Sequence, residues 1–129
     1  MKRVAQTIRL RAEHRQEYLE LHAAVWPGVE AALHRAQIRN FGIFLGGDVL
    51  FAYFEYHGDD FEADLATLEA DPETRRWWKL TDPCQEPWPD RGDSRQWTEL
   101  TEIWHLGPPG GDTTARPGPR QPDPTWSPP

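Results

Sequence analysis

A tyrosine and a histidine four residues apart are the first pair in this sequence that could do chemistry. The segment EYLELHAAVWP, residues 17–27, places Tyr18 and His22 at i, i+4 spacing, so that both side chains lie on one face of a helix. An imidazole gains and loses a proton near neutral pH, which makes His22 a candidate acid or base. The spacing also fits a second interpretation, in which Tyr18, His22 and Val25 belong to a buried stripe.

Two adjacent tryptophans, Trp77 and Trp78 in RRWWKL, are the second candidate feature. Neighbouring side chains on a helix point roughly 100° apart, so the two indoles cannot share one narrow core stripe. At least one of them is expected to line a pocket or an interface. Flat aromatic surfaces beside a few hydrogen-bonding groups suit a sugar, which has apolar C–H faces and polar edges, although two packing residues fit the spacing as well.

Other kinds of site are not indicated. The five histidines lack a metal-ligand spacing such as H-E-x-x-H, so the sequence predicts no metal. Neither a glycine-rich phosphate loop nor a serine nucleophile motif is present, and we expect no cofactor. The tripeptide RGD at residues 91–93 matches an adhesion motif but is interpreted as chance loop composition.

Charge and cysteine content exclude several classes of partner. The 21 acidic and 14 basic side chains give a net charge of −7, which would repel a phosphate backbone, so nucleic acid is not expected to bind. The single cysteine, Cys84, excludes a disulfide within the chain and suits a reducing compartment. The first 14 residues contain no signal-peptide core. We therefore expect a cytoplasmic protein that does not bind a membrane.

A change of composition near residue 106 divides the chain. Residues 107–129 include eight prolines and four glycines among 23 residues, with one large apolar side chain, Trp126. Such a segment cannot bury enough apolar surface to offset the entropy of ordering it. The sequence thus predicts one domain over residues 1–106 and a disordered tail over residues 107–129.

Within residues 1–106 the hydrophobic period alternates between that of strands and that of helices. The expected strands are 4–10, 38–45, 49–56 and 97–106, and the expected helices are 11–25 with a bend into 27–37, 59–71 and 72–84. A helix should bend at Trp26-Pro27, GGD should form a hairpin turn, and Asp59 or Asp60 should cap a helix. The order β, α, β, β, α, β is that of the ferredoxin-like fold, an antiparallel sheet with helices on one face.

The two middle strands are apolar on both faces. Strict alternation assigns Phe41, Ile43, Phe51 and Tyr53 to one face and Phe44, Leu50, Phe54 and Tyr56 to the other. One face packs under the helices, and a large apolar second face usually marks an interface. We therefore expect a homodimer through the open face of the sheet.

Taken together, the motifs resemble the L-rhamnose mutarotase family. The resemblance runs from about residue 3 to residue 106 and rests on EYLELHAAVWPGVEAAL, IRNFGIFL, LFAYFEY, RRWWKLTDPCQEPWP and WTELTEIWHL, in the family's order and spacing. Each motif alone is weak, but a Tyr-x3-His-x3-Trp-Pro helix followed by a Trp-Trp pair is fairly specific. The resemblance favours the chemical interpretation of His22.

This resemblance implies a cofactor-free isomerase that interconverts the α and β anomers of L-rhamnose, as a dimer of ferredoxin-like subunits. It assigns the family's acid histidine to His22, a substrate-contacting tyrosine to Tyr18, and the paired tryptophans to Trp77 and Trp78. One position departs from the pattern, because the family commonly has a substrate-contacting tyrosine where this chain has Phe41.

Alternative functions stay open at this point. Since Phe41 lacks the hydroxyl, the sugar could be another deoxy sugar such as L-fucose. From a different class, a cofactor-free oxygenase or a noncatalytic small-molecule binder would fit the same dimeric fold, because this architecture hosts many functions. The sequence does not identify the acceptor of the anomeric proton, for which water is one candidate.

Overall fold

The computed structural model describes residues 1–90, 92 and 96–109. Within this part the strands are β1 (Lys2–Leu10), β2 (Ile38–Gly46), β3 (Val49–Tyr56), β4 (Gln85–Glu86) and β5 (Thr98–Leu100). The α-helices are α1 (Arg15–His22), α2 (Pro27–Arg35), α3 (Phe61–Ala70) and α4 (Pro72–Thr81), and short 3-10 helices cover Ala12–His14 and Asp82–Cys84. The RGD tripeptide and residues 110–129 of the predicted tail lie largely or wholly outside the described residues.

The strands form one antiparallel sheet in the order β2-β3-β1-β4, with β5 also paired to β1. β4 and β5 share the edge beside β1, since Leu10 pairs with Gln85 and Ala5 pairs with Leu100. This arrangement confirms the ferredoxin-like α+β fold. The predicted closing strand was too long, because only Thr98–Leu100 pair with β1, and the two-residue strand β4 was not predicted.

Aspartates begin both helices of the second half of the chain. The side chain of Asp60 accepts a hydrogen bond from the backbone N–H of Ala63 at 3.1 Å, which satisfies a free donor of the first turn of α3. Asp71 does the same for Thr74 at 2.9 Å, and Pro72 occupies the first turn of α4. These caps match the predicted helix starts.

The Trp26-Pro27 pair separates two helices instead of bending one. α1 ends at His22, Trp26 is extended with φ −64° and ψ 134°, and α2 begins at Pro27. A residue before proline is pushed out of the helical region by the proline ring, which explains the extended backbone at Trp26. The interruption spans residues 23–26, so the prediction of one bent helical arm was wrong.

The face assignment of the central hairpin was also wrong. The turn at Gly47 and Asp48, with Gly47 at φ +59°, pairs Leu45 with Leu50 and Phe44 with Phe51, so each pair shares a face. Ile43 therefore packs with Leu50 under the helices, and Phe44 lies with Phe51 on the open face.

A bulge in β2 interrupts the alternation of side chains between the two faces of the sheet. The pairing with β3 shifts between Arg39 and Gly42, where Asn40 takes φ +51°. Phe41 then stacks on Phe54, with ring centroids 5.4 Å apart and planes at 9°. Phe41 consequently belongs to the same side of the sheet as the buried Phe54.

Two apolar clusters fill the space between sheet and helices. The first cluster contains Val4, Ala32, Ala36, Ile38, Phe54 and Leu68, and the second contains Ile8, Leu10, Tyr18, Leu50 and Cys84. The open face of the sheet carries Phe44, which is 62% exposed. Beyond β5 the chain exposes three more apolar side chains, Ile103, Trp104 and Leu106. None of the helices in the described ranges has the length and apolar content needed to span a bilayer.

Candidate functional site

The C-terminal half of α1 brings Tyr18 and His22 against α4. The rings of Tyr18 and His22 have centroids 4.2 Å apart, and His22 meets Trp77 edge to face at 5.4 Å. Tyr18 and Trp77 are buried while His22 is half-buried, so the imidazole is the most accessible of the three rings. Three of the predicted site residues thus form one aromatic group.

The imidazole of His22 is held through one of its two nitrogens. Its Nδ1 lies 2.9 Å from the backbone carbonyl oxygen of Tyr18. A carbonyl oxygen can only accept a hydrogen bond, so Nδ1 carries a hydrogen and donates it. Nε2 is then the nitrogen that can exchange a proton with another molecule, as an acceptor in the neutral ring or a donor in the charged one.

Trp26 extends this aromatic group, although the sequence indicated only that it precedes a helix break. Its indole meets that of Trp77 edge to face at a centroid distance of 5.2 Å. The extended backbone at Trp26 turns the chain between α1 and α2, which places the indole next to α4. A large aromatic residue at a helix break beside a candidate histidine was the signal that could have identified it.

Trp78 and Phe41 lie with the other apolar cluster. Trp78 is half-buried and packs against the first cluster, and Phe41 stacks on Phe54 of that same cluster. Trp77 is 5% exposed and contacts His22 instead. The two tryptophans therefore separate as their helical spacing predicted, one toward His22 and one toward the first cluster.

The hydroxyl of Tyr18 points into a buried polar contact that the sequence did not indicate. Gln85 of β4 donates from Nε2 to the Tyr18 hydroxyl oxygen at 3.2 Å. Burial raises the pKa of Tyr18 to about 12, while the hydrogen bond from Gln85 acts in the opposite direction. The phenol is therefore a hydrogen-bond donor or acceptor and not a base near neutral pH.

The segment after α4 adds two titratable groups near Tyr18. Partial burial raises the pKa of the Asp82 carboxyl, and burial likewise raises the pKa of the Cys84 thiol. The charges of Cys84 and Asp82 both oppose ionisation of Tyr18. These groups help to keep the phenol of Tyr18 neutral.

Among the described residues, one group of side chains could approach a metal ion. Ligand atoms of His14, Glu17 and Cys84 lie within 4.8 Å of one another. His14 Nδ1 is 3.0 Å from Glu17 Oε2, and burial disfavours the Cys84 thiolate that a soft metal would need. The absence of a metal and of a cofactor stays a prediction.

The family model for L-rhamnose mutarotase matches residues 3–106. The chain belongs to the L-rhamnose mutarotase family. A curated relative named L-rhamnose mutarotase from Lactiplantibacillus plantarum is 32% identical over 108 residues, which cover 82% of this chain and 99% of the relative. Another of that name from Bacteroides thetaiotaomicron is 29% identical with the same coverage.

Solved structures share the fold at lower identity. The crystal structure of an L-rhamnose mutarotase from Formosa agariphila matches with a TM-score of 0.65 and 23% identity, covering 83% of this chain and all of the other. Tetracenomycin F2 cyclase from Streptomyces glaucescens matches with a TM-score of 0.59 and 15% identity, over 83% of this chain and all of the cyclase. The predictions of the family and of the ferredoxin-like fold are confirmed.

Proposed function

We propose that this member of the L-rhamnose mutarotase family interconverts the α and β anomers of L-rhamnose by acid/base catalysis, with His22 as the acid. One observation carries the proposal most directly. The hydrogen bond from His22 Nδ1 to the Tyr18 carbonyl leaves Nε2 as the proton-exchanging atom, on a half-buried ring between aromatic neighbours. Mutarotation needs one such donor and one acceptor.

The reaction proceeds through the open-chain aldehyde. Nε2–H of the charged imidazole protonates the ring oxygen as the bond between C1 and that oxygen breaks, and the proton on O1 passes to an acceptor. Rotation about C1–C2 turns the other carbonyl face toward the ring hydroxyl. Reclosure returns one proton to Nε2 and one to O1, so the enzyme is unchanged.

Water is the simplest acceptor for the O1 proton. Because the uncatalysed reaction is already fairly fast, a gain of about 10² to 10⁴ from positioned proton transfer is sufficient for a useful catalyst. Burial raises the pKa of Tyr18 to about 12, which argues against the phenolate as the acceptor. No step requires a metal or an organic cofactor.

The aromatic residues provide the surface on which the sugar lies. Trp77 and Trp26 form adjoining walls next to His22, suited to the apolar C–H face and the C6 methyl of the sugar. Tyr18 contributes a hydroxyl, and Trp78 and Phe41, which pack with the first cluster, are assigned to the sugar by the resemblance to the family. All five belong to our proposed substrate-binding set, with His22 as the catalytic residue.

Because Phe41 has no hydroxyl group to contact the sugar, the identity of the sugar is the point to test. A mutarotase for another deoxy sugar such as L-fucose would use the same acid and differ in its hydroxyl contacts. The names of the relatives favour L-rhamnose as the substrate, and the shared fold alone does not select a function. Anomer exchange without oxygen uptake would exclude the oxygenase, and sugar binding without exchange would favour a binder.

Saturation-transfer NMR of L-rhamnose tests the function. Purified protein should raise the rate of exchange between the α and β signals, and His22→Ala should lower that rate to near the uncatalysed one. His34→Ala is the matched control, because His34 is exposed on α2, and it should exchange anomers like the wild type. If His22→Ala is as fast as the wild type, His22 is not the acid.

We also propose that two copies associate through the open face of the sheet. Phe44 and Phe51 expose apolar surface there, and Ile103, Trp104 and Leu106 follow on the extended segment after β5. A cleft of about 250 Å³ on this side is lined partly by Tyr53, Leu100 and Trp104. A second copy with the same apolar face is the partner whose surface complements this one.

The cytoplasm is the proposed location. The only cysteine, Cys84, is buried as a free thiol, and a chain that needs no disulfide suits a reducing compartment. Fractionation of cells that produce the protein, with cytoplasmic and periplasmic marker enzymes, checks this proposal. Recovery with the periplasmic markers would contradict it.

A further inference from the structure

Three side chains from separate parts of the chain form a hydrogen-bonded series that ends at Tyr18. Gln96, just before β5, donates from Nε2 to Oε1 of Gln85 at 2.6 Å. Gln85 donates in turn from Nε2 to the Tyr18 hydroxyl oxygen at 3.2 Å. Gln85 is 4% exposed and Tyr18 is 2% exposed, so the contact between them is shielded from water.

One backbone carbonyl fixes the direction of this series. Nε2 of Gln96 also lies 3.4 Å from the carbonyl oxygen of Asp82, and a carbonyl oxygen can only accept. The NH2 end of Gln96 therefore faces both Asp82 and Gln85, which leaves Oε1 of Gln85 to accept and its Nε2 to donate to Tyr18. The phenol oxygen accepts from Gln85, and its own hydrogen is free to point elsewhere.

We propose that Gln85 is a positioning residue that keeps the Tyr18 hydroxyl as a hydrogen-bond donor toward an oxygen of the bound sugar, with Gln96 setting the direction. The part that concerns the sugar rests on the function proposed above. Burial supports the same role, because a pKa of about 12 means that the Tyr18 phenol retains its proton throughout the neutral range. A fixed donor recognises a sugar oxygen without having to reorient first.

Gln85→Glu tests the direction because it changes polarity without changing size. A protonated carboxyl can still accept from Gln96 and donate to the Tyr18 oxygen. An ionised carboxylate only accepts, and it would take the Tyr18 hydrogen away from the sugar. Burial raises the pKa of a carboxyl, which brings the change between these forms toward neutral pH.

We expect the ratio of the Gln85→Glu rate to the wild-type rate of anomer exchange to depend on pH. The ratio should be near one at the acid end and fall by about tenfold as pH rises, the effect of losing roughly one hydrogen bond to the substrate. The titratable groups near Tyr18 include His22, Asp82 and Cys84, with His14 and Glu17 beside Cys84. Both proteins contain these groups, so the ratio removes the contributions that they share.

Two variants serve as controls for this profile. Gln85→Met removes the donor and cannot titrate, so its ratio to wild type should be low at every pH. Gln16→Glu adds the same charge at an exposed position of α1, and its ratio should stay near one. A pH-independent loss in Gln85→Glu, like that of Gln85→Met, would show a structural role only and overturn the proposal.

A measurement without sugar separates this inference from the proposed function. With tyrosine labelled at the ring carbon that bears oxygen, the Tyr18 signal is assigned by its loss in Tyr18→Phe. The chemical shift of that signal should change with pH in Gln85→Glu as the introduced carboxyl titrates. A chemical shift that does not change with pH would overturn the proposed direction of the hydrogen bond. If the chemical shift changes but the wild-type protein does not accelerate anomer exchange, the proposed function fails and the positioning of the Tyr18 hydroxyl stands.

Gln96→Glu provides a second route if Gln85→Glu does not fold. A carboxylate at position 96 attracts the NH2 end of Gln85, so the amide turns and presents its oxygen to Tyr18. The exchange rate relative to wild type should again fall as pH rises, and the labelled Tyr18 signal should move. A pH-independent ratio in this variant would contradict the proposal in the same way.

Discussion

His22 and Trp77 meet edge to face, with ring centroids 5.4 Å apart and ring planes at 71°. The indole restricts one side of the imidazole, and the hydrogen bond from Nδ1 to the Tyr18 carbonyl fixes the orientation of the ring. A proton donor held by two contacts needs little reorganisation before it transfers its proton. The position of His22 therefore depends on its neighbours as much as on its own helix.

Trp77→Phe tests the contribution of the indole. Phenylalanine keeps an aromatic ring but presents less surface to both His22 and Trp26, so we expect the exchange rate to fall by about tenfold. The free energy of unfolding should fall by about 1 to 3 kcal/mol, because a buried side chain is shortened. Saturation-transfer NMR and urea denaturation measure the two effects. Trp78→Phe, at the other cluster, should have the smaller effect on rate, and equal effects would contradict the separation of the indoles.

Tyr18 should make stability depend on pH in the alkaline range. Burial raises its pKa from 10.0 to about 12, so the unfolded chain loses the phenol proton first. Stability from the neutral phenol is complete below pH 10 and is lost as pH rises through about 12. Tyr18→Phe removes this component, so the free energy of unfolding of the variant should fall less between pH 10 and 12 than that of the wild type. Urea denaturation at several pH values measures this difference. If the free energies of unfolding of the two proteins fall in parallel as pH rises, the raised pKa of Tyr18 is contradicted.

Asp71 should make stability depend on pH in the acid range. Hydrogen bonds from the backbone N–H and hydroxyl of Thr74, at 2.9 and 2.8 Å, lower the pKa of Asp71 below its ordinary 3.8. The stabilisation is present above pH 3.8 and is lost as pH falls through the lower, folded pKa. Asp71→Asn still caps α4 but does not titrate. The difference in unfolding free energy between wild type and variant should shrink from pH 4 to pH 2, and a constant difference would contradict this assignment.

Phe41→Tyr adds the hydroxyl that the resemblance to the family implies at this position. Phe41 is 40% exposed and stacks on Phe54, so the added hydroxyl can reach solvent or the sugar without being buried. We expect the free energy of unfolding to change by less than about 0.5 kcal/mol. Exchange rates for L-rhamnose and L-fucose are the measurement. A shift in preference between the sugars places position 41 in the site, whereas unchanged rates for both would mean that the hydroxyl is immaterial.

Ile103→Glu tests the proposed dimer. Ile103 is 96% exposed, so a charge there costs the single subunit little, but it would be buried between two apolar faces. Light scattering during gel filtration should show a dimer for wild type and a 14.9 kDa monomer for the variant. Leu80→Glu, on the helix layer, is the control and should remain dimeric. A monomeric wild type would refute the interface.

Local signals in the sequence were enough to predict most of the fold. The Gly-rich hairpin turn, the Asp60 cap and the start of a helix at Pro72 depend on residues close in sequence, and the structure has them where the sequence predicts them. The bulge at Asn40 could not be predicted, because it depends on the pairing of β2 with β3. The register of the hairpin also depends on this pairing, and Phe41 and Ile43 were therefore wrongly assigned to the face of Phe51.

From spacing alone, the candidate site was predictable only where it lies on one helix, and the resemblance to the family added Trp77 of α4. Tyr18 and His22 meet because they are four residues apart on α1. Gln85, on the two-residue strand β4, hydrogen-bonds Tyr18 across 67 residues of sequence, and Gln96, just before β5, hydrogen-bonds Gln85. No pattern in the sequence marks a glutamine whose partner is so distant.

The bulge in β2 lets two apolar side chains an odd number of residues apart face the helices together. Ile38 pairs with Tyr56 and packs in the first cluster, and Phe41, further along the same strand, stacks on Phe54. Regular alternation would send these two side chains to opposite faces, so the extra residue Asn40, in a left-handed conformation, keeps both of them on the helix side. Deleting Asn40 would restore an unbroken ladder and leave Phe41 alone opposite Phe54, so the ring would stay on the helix side and β2 would lose only its local bend.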